Sequence, residues 1–460
     1  MKWILSLFFL IFYGCSNLPS NISMESPTYQ TDNVKFYYDL THKRGDTIYT
    51  EHRIFNQMEK MIENAEEFIV MDVFLFNNLY NANEFNFPKV SLEIKEALIK
   101  KRKMNKDVKI YFITDEINTF YGVYNISELE ELEKNGITVI LTDLTKTNGA
   151  NRIYSTFWKT FFSWFGTGEN GWLTNPFSPK APKVTIRSYL KLMNLKGNHR
   201  KLLVTEKEAF ITSANPHSAS GYHSNIGFKF DGNIINSVVE SEKAVGELSK
   251  IEMKLPTVKF LDKGKYKVQL LTEGKIGKAL DSDIDNSQNG DEIYIGMFYL
   301  GDTVIVKKLI DAAKRGVKIR MILDENNEAF GMKKTGIPNK VTGKKLIDNS
   351  NDKIEVKWYR SSGEQYHTKL VVIKTSDEII VNGGSANLTK RNIRDYTLDT
   401  NIRIVAPKSS KLSTDIEQYF NMLWDDDEDI YTMEKQELEK GYISKKILYN
   451  IQNASGFSTY

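Results

Sequence analysis

Asn198-His199-Arg200-Lys201-Leu202-Leu203-Val204 and Tyr366-His367-Thr368-Lys369-Leu370-Val371-Val372 are two copies of one word in a chain of 460 residues. Each sets a histidine and a lysine two positions apart and runs straight into an apolar stretch. Each is followed by the same tripeptide, Ser213-Ala214-Asn215 and Ser385-Ala386-Asn387. Residues two apart in a β-strand point to one face, so His199 projects with Lys201 and His367 with Lys369. If the two halves pack face to face, two imidazoles and two ammoniums converge. That set suits phosphoryl chemistry: one imidazole attacks phosphorus, the other shuttles a proton, and the lysines hold the equatorial oxygens. Ser213, Asn215, Ser385 and Asn387 add uncharged hydrogen-bonding groups.

The repeat extends upstream of the words. Residues 107–115, ending in Asp115, line up with 316–324, ending in Asp324, and 68–74 parallel 293–299. Between such strands a helix is expected over about 304–315, from the spacing of Leu309, Ala312 and Ala313 and from Gly316 as a stop. Strand, helix, strand predicts an α/β fold in which each half is a mixed sheet flanked by helices. The repeat is uneven in one place. From Asp115 to His199 is 84 residues and from Asp324 to His367 is 43, so the first half carries 41 extra. They fall at about 145–190, where three of the six tryptophans (Trp158, Trp164, Trp172) mix with Lys159, Lys180, Lys183 and Arg187. Aromatic rings with basic neighbours suit a membrane interface, whereas the same residues at helical spacing also suit a buried helix.

At the N-terminus, Lys2 precedes an apolar stretch from Trp3 to Tyr13, too short to span a bilayer, and then Cys15, the only cysteine. A signal segment over 1–14 is expected, with Cys15 where a signal peptidase cuts. The net charge of +3, from 62 basic and 59 acidic residues, speaks against a dedicated nucleic-acid binder. No cysteine pair, His-Glu-x-x-His or phosphate-binding glycine loop is present, so neither metal nor cofactor is expected. The acidic run 425–429 lacks the alternation of a calcium loop and reads as a solvated turn. Residues 411–424 and 433–448 are expected to be helical, and the polar, lysine-rich 236–270 to connect a first half (15–235) to a second (271–460).

The doubled His-x-Lys with its Ser-x-Asn resembles the phospholipase D superfamily, whose signature is His-x-Lys, an acidic residue, then Gly-Ser-x-Asn. The layout is most similar to bacterial cardiolipin synthase and phospholipase D-like proteins with two motifs per chain. The N-terminus resembles a bacterial lipoprotein signal, which implies an exported protein anchored at a membrane through lipidated Cys15, and a monomer is expected. The resemblance implies two pseudo-repeated phospholipase D-like halves with one active site at their interface. It also implies a phosphohistidine intermediate, with His199 as nucleophile and His367 as acid and base, and retention at phosphorus. Several positions depart from the signature. Glu206 stands where aspartate is usual and Thr212 where glycine is usual. Lys374 falls at the acidic position of the second copy, and Asp377, in register with the family's aspartate, implies a three-residue hairpin extension. Glu206 and Asp377 are expected to orient a histidine or else to serve the hairpin turn, and Glu364 to line the pocket. His217 and His223 read as a surface loop, with contact to a headgroup as the alternative.

Three functions follow. The first is a phospholipase D-type phosphodiesterase or phosphatidyltransferase acting on phospholipid headgroups, possible products being phosphatidic acid or cardiolipin. The second is a nuclease using the same residues, which needs a continuous basic groove and salt-sensitive binding. The third is a degenerate lipoprotein that binds phosphate without turnover.

Overall fold

In the computed structural model, residues 18–19, 21–79, 87–329, 332–426, 430–433, 441–458 and 460 are described. The signal segment, Cys15 and residues 427–429 of the acidic run lie outside them.

The two words begin strands Lys201–Thr205 and Lys369–Lys374, each central in its own mixed sheet. The first sheet runs Val34–Asp39, Asn225–Phe230, Ala209–Thr212, Lys201–Thr205, Phe68–Val73, Lys109–Asp115, Thr138–Thr142. The second runs Tyr266–Thr272, Thr400–Pro407, Glu378–Gly384, Lys369–Lys374, Glu292–Met297, Lys318–Leu323, Ile354–Tyr359, with short strands Tyr29–Thr31 and Thr432–Met433 added at its edges. Order and sense agree strand for strand. In each sheet the last three of these seven strands are parallel, and the hairpin that carries the motif is antiparallel. Helices Val90–Met104 and Thr303–Lys314 make the equivalent crossovers, and Gly316 ends the second with a φ of 101°.

Pairing corrects the register of the repeat by one residue. Phe68 pairs with Lys109 and Glu292 with Lys318, so Phe68 corresponds to Glu292 and not to Ile293. A one-residue slip turns every side chain to the other face. In the true register Phe74 matches Phe298.

The sheets pack face to face, and one core cluster joins Val204, Ile211 and Phe228 to Val372, Val381 and Ile404. A Cβ on Gly383 would come within 2.5 Å of the Phe228 ring, so glycine there admits the ring across the interface. The start of the chain serves both halves. Tyr29–Thr31 extends the second sheet, and Val34–Asp39 extends the first after two residues. The stretch expected to connect the halves is more structured than its composition suggests. Helix Ile234–Leu248 and strand Tyr266–Thr272 take up its ends, and only 249–265 is without helix or strand. In the tail, helix Lys411–Trp424 lies where expected, and the next helix spans Tyr442–Ser455.

Candidate active site

Each histidine is fixed by the half it does not belong to. The backbone N–H of His199 donates to the Leu398 carbonyl at 2.7 Å, and Ser224 N–H donates to the Gln365 carbonyl at 3.0 Å. These bridges set Asp399 beside His199 and Asn225 beside His367. Nδ1 of His199 lies 2.7 Å from Asp399 Oδ1, and Nδ1 of His367 lies 3.0 Å from Asn225 Oδ1. A carboxylate only accepts, so His199 Nδ1 carries the proton. The Asn225 amide nitrogen donates to the His223 carbonyl at 2.9 Å, which turns its oxygen to His367 and assigns the same tautomer. Both Nε2 atoms are thereby left with a free lone pair.

The serines of the repeat hold these two partners in place. Ser213 Oγ donates to Asn225 Oδ1 at 3.0 Å and Ser385 Oγ to Asp399 Oδ1 at 3.0 Å. Thr397 and Asn392 donate to the other oxygen of Asp399 at 2.7 and 2.9 Å. Beneath the first half, fully buried Arg200 pairs with Glu242 and Glu273, and Glu273 accepts the Asp399 backbone N–H at 3.1 Å. Aspartates at the strand ends brace the residue before each histidine: Asp115 accepts Asn198 N–H at 2.6 Å and Asp324 accepts Tyr366 N–H at 2.8 Å. Burial lifts both carboxyls to about 7.

Lys201 and Lys369 each fold back to the carbonyl of their own histidine at 2.8 Å. Each ammonium lies over an equivalent ring, Lys201 5.3 Å from the centre of Phe74 and Lys369 5.2 Å from Phe298. Burial pushes Lys201 down to about 7, opposed by Asp399, and takes Lys369 well below its ordinary value with Lys201 adding to the effect. Burial brings His199 down to about 4, Lys201 assisting and Asp399 opposing. His367 is also held well below its usual range, by burial first and then by Lys369 and His223. Burial works against the Asp399 charge, yet His199 and its hydrogen bonds keep that carboxyl below the usual value. Both imidazoles are therefore neutral at pH 7, and a bound anion among four basic groups favours their protonated forms.

Both histidines line one cavity of about 840 Å³ with Asn215, Asn387 and Glu364. Asn215 Oδ1 accepts Leu75 N–H at 3.2 Å, whereas Asn387 Oδ1 makes no hydrogen bond. Glu364 is buried and accepts Ser362 N–H at 2.8 Å. Much of the wall is apolar: Phe74, Ile117, Phe177, Tyr189, Leu192 and Phe298. His217 and His223 do not form a surface loop. Both line the cavity, burial lowers each to about 3, and the His223 ring lies 5.7 Å from that of His367. Arg391 also lines the cavity, with an Nε that has no partner.

The acidic residues after the motifs do not reach the histidines. Glu206 sits in the hairpin turn and accepts the backbone N–H groups of Glu66, Glu67 and Phe68 at 2.8–3.3 Å. Asp377 lies in the equivalent turn, where its side chain accepts from Ser376 at 2.7 Å. Orientation falls to Asp399 and Asn225 instead. Both turns have the same form, with Thr205 N–H on the Glu208 carbonyl and Thr375 N–H on that of Glu378. Between the two copies the spacing differs by four residues, since 14 positions separate His199 from Ser213 and 18 separate His367 from Ser385. Lys374 pairs with Glu417 at 2.5 Å, away from the site.

Thr212 in place of glycine is matched on the neighbouring strand. In the second half Gly384, at φ 155°, leaves room for Asn401, whose Oδ1 accepts Ala386 N–H at 3.1 Å. In the first half the acceptor for Ala214 N–H is Thr212 Oγ1 at 3.1 Å, and the residue opposite is Gly227. The side chain has changed strands and the hydrogen bond is kept.

Asp399 and Asn225 had a signal in the sequence. They head equivalent strands, 14 residues after Ser385 and 12 after Ser213. Carrying the repeat past its last asparagine with a two-residue gap sets them side by side.

Residues 280–424 match the family model described as cardiolipin synthase, PLD-like domain, so the second half carries a PLD-like domain. A sequence search of curated proteins found no match. Among solved structures, phosphatidylserine synthase from Haemophilus influenzae aligns over 97% of this chain and 97% of its own, with 12% identity and a TM-score of 0.56. The two share a fold across both halves. Polyphosphate kinase from Porphyromonas gingivalis aligns over 92% of this chain and 53% of its own, with 12% identity and a TM-score of 0.47.

Proposed function

We propose that this chain is a phospholipase D-type phosphodiesterase or phosphatidyltransferase that acts on phospholipid headgroups through a phosphohistidine. The observation that carries the reading is the pair of neutral imidazoles, each tied at Nδ1, facing one largely apolar cavity with a lysine beside each. Binding of the phosphodiester anion brings a proton to Nε2 of His367. His199 Nε2, still unprotonated, attacks phosphorus and the bond to the headgroup oxygen breaks, with the departing oxygen taking that proton from His367. Water or an acceptor alcohol then attacks phosphorus, His367 takes its proton, and the phosphorus–nitrogen bond breaks. Two displacements give retention. Lys201 and Lys369 neutralise the non-bridging oxygens.

The unlike partners support this order. Phosphorylation at Nε2 leaves positive charge on the ring, which the Asp399 carboxylate offsets. Asn225 fixes the tautomer of His367 without adding charge, so that ring gives up its proton more readily. The apolar wall favours a lipid over a nucleic-acid strand, which calls for a continuous basic groove. Anchoring through lipidated Cys15 is part of the proposal, and incorporation of a labelled fatty acid, lost in Cys15→Ser, tests it.

The deciding experiment measures headgroup release from mixed phosphatidylglycerol, phosphatidylethanolamine and phosphatidylcholine liposomes in EDTA. Release lost in His199→Ala and His367→Ala supports the reading, and cardiolipin appearing alongside identifies transfer. No turnover of any lipid, with cleavage of DNA instead, overturns it.

A further inference from the structure

Large apolar side chains left in water are not scattered over this molecule. Among the described residues 21 are exposed, and 14 of them lie in two segments far apart in sequence, nine within 152–193 and five within 442–457. Helix Arg152–Phe161 buries no side chain, and Ile153 and Trp164 are 83% and 80% exposed. Helix Tyr442–Ser455 buries only Tyr449, while Ile443, Ile447 and Ile451 form an exposed stripe at four-residue spacing. The helices meet where the second ends. A Cβ on Gly456 would lie 2.2 Å from the Ala150 carbonyl, and the rings of Tyr154 and Phe457 are 5.8 Å apart. A contiguous apolar surface of this kind marks an interaction site.

Two observations identify what covers it. The first is charge. Residues 145–196 hold eight basic side chains and one acidic, and 441–460 hold two lysines and no acid, while the rest of the chain has 52 basic and 58 acidic residues. The second is the state of the polar groups. The hydroxyls of Thr156, Thr160 and Ser163 and the indole N–H of Trp164 all donate to carbonyls four residues back, at 2.7–2.9 Å. These groups take their hydrogen bonds from their own helix and lose little when water is withdrawn.

We propose that helix Arg152–Phe161, its extension to Phe165, and helix Tyr442–Ser455 form one docking surface that seats on an anionic phospholipid bilayer. The aromatic rings enter the headgroup boundary, and the flanking lysines and arginines meet lipid phosphates. The same segments build part of the catalytic cavity, through Phe177, Tyr189 and Leu192 from one and Tyr460 from the other. The link from docking to catalysis rests on the lipid reading of the site.

The test uses the full chain with phosphatidylglycerol vesicles carrying brominated acyl chains, which quench tryptophans at acyl depth. Quenching is expected for the wild type, and most of it is lost in Trp164→Phe. The Phe161→Asp/Ile447→Asp variant and phosphatidylcholine vesicles each lower the bound fraction at least about fivefold. Turnover of a short-chain phospholipid below its micelle concentration stays at the wild-type level in that variant. Quenching at Trp164 without turnover of any lipid upholds the surface and refutes the catalytic reading. Trp164 emission indifferent to brominated lipid on a vesicle-bound chain overturns the proposal, as does a solution dimer broken by the double substitution.

Discussion

The two halves present the same strands, the same lysine over the same ring and the same serine, yet they offer their histidines different partners. His199 leans on a carboxylate and His367 on an amide. Duplication supplies two equivalent imidazoles, and a two-step displacement needs them to be unlike. One substitution at one strand end separates the roles while the serine contact and the bond to Nδ1 are kept.

Removing either histidine gives the largest effect: His199→Ala and His367→Ala each lower kcat by about 10⁴-fold or more. Only His367→Ala retains a histidine able to take the phosphoryl group, so enzyme quenched in alkaline detergent, which spares the phosphorus–nitrogen bond, should carry label at His199 in that variant. Label at His367 in His199→Ala would reverse the comparison. Next comes Asp399→Asn, which makes the halves alike. It keeps the hydrogen bond and removes the charge, and kcat should fall on the order of 10³-fold with the thermal midpoint little changed. A fall below tenfold would mean that the carboxylate only positions the ring.

Asn225→Asp equalises the halves in the other direction. The acid must be protonated, so rate declines as pH rises through its pKa in the complex. A carboxylate raises that pKa, and the alkaline limb of kcat against pH should move up by about one unit. An acid limb that moves up while the alkaline limb stays fixed would show that His367 acts first as a base. Burial also ties His199 to stability. Its folded pKa is about 4, below the ordinary 6.5, so the unfolded chain binds more protons between those values. Stability therefore falls as pH drops from 6.5 to 4, and His199→Gln should flatten part of that slope in urea titrations. The smallest effect belongs to the turns. Glu206→Gln should cost about 1 kcal/mol in stability and leave kcat unchanged, since Glu206 bonds to backbone and pairs with Lys207 at the far end of the hairpin.

Period-two spacing and repetition made the convergence of the His-x-Lys pairs legible, because strand geometry turns i and i+2 to one face. The identity of the orienting residues was not legible. They are supplied across the interface, and local spacing carries no record of which sheet faces which. That is why Glu206 and Asp377, near in sequence, drew the role that belongs to Asp399 and Asn225. The surface-loop reading of His217 and His223 failed for a related reason: they sit in a segment with little regular structure that composition reads as exposed, but Asn77, Pro88 and His52 from the first half and Gln365 from the second pack against it. The aromatic insertion fitted a core helix or an interfacial one equally well by pattern, and the exposure of Ile153, Phe157 and Phe161 separates the two.

The crossing of partners between halves makes docking itself the switch for the chemistry. A chain whose halves have folded but not yet met has each histidine without its Nδ1 acceptor, and neither Nε2 is reliably left as the free base. Turnover therefore reports assembly. Two fragments divided within 249–265, each inert alone, should regain activity together only as fast as their sheets find one another.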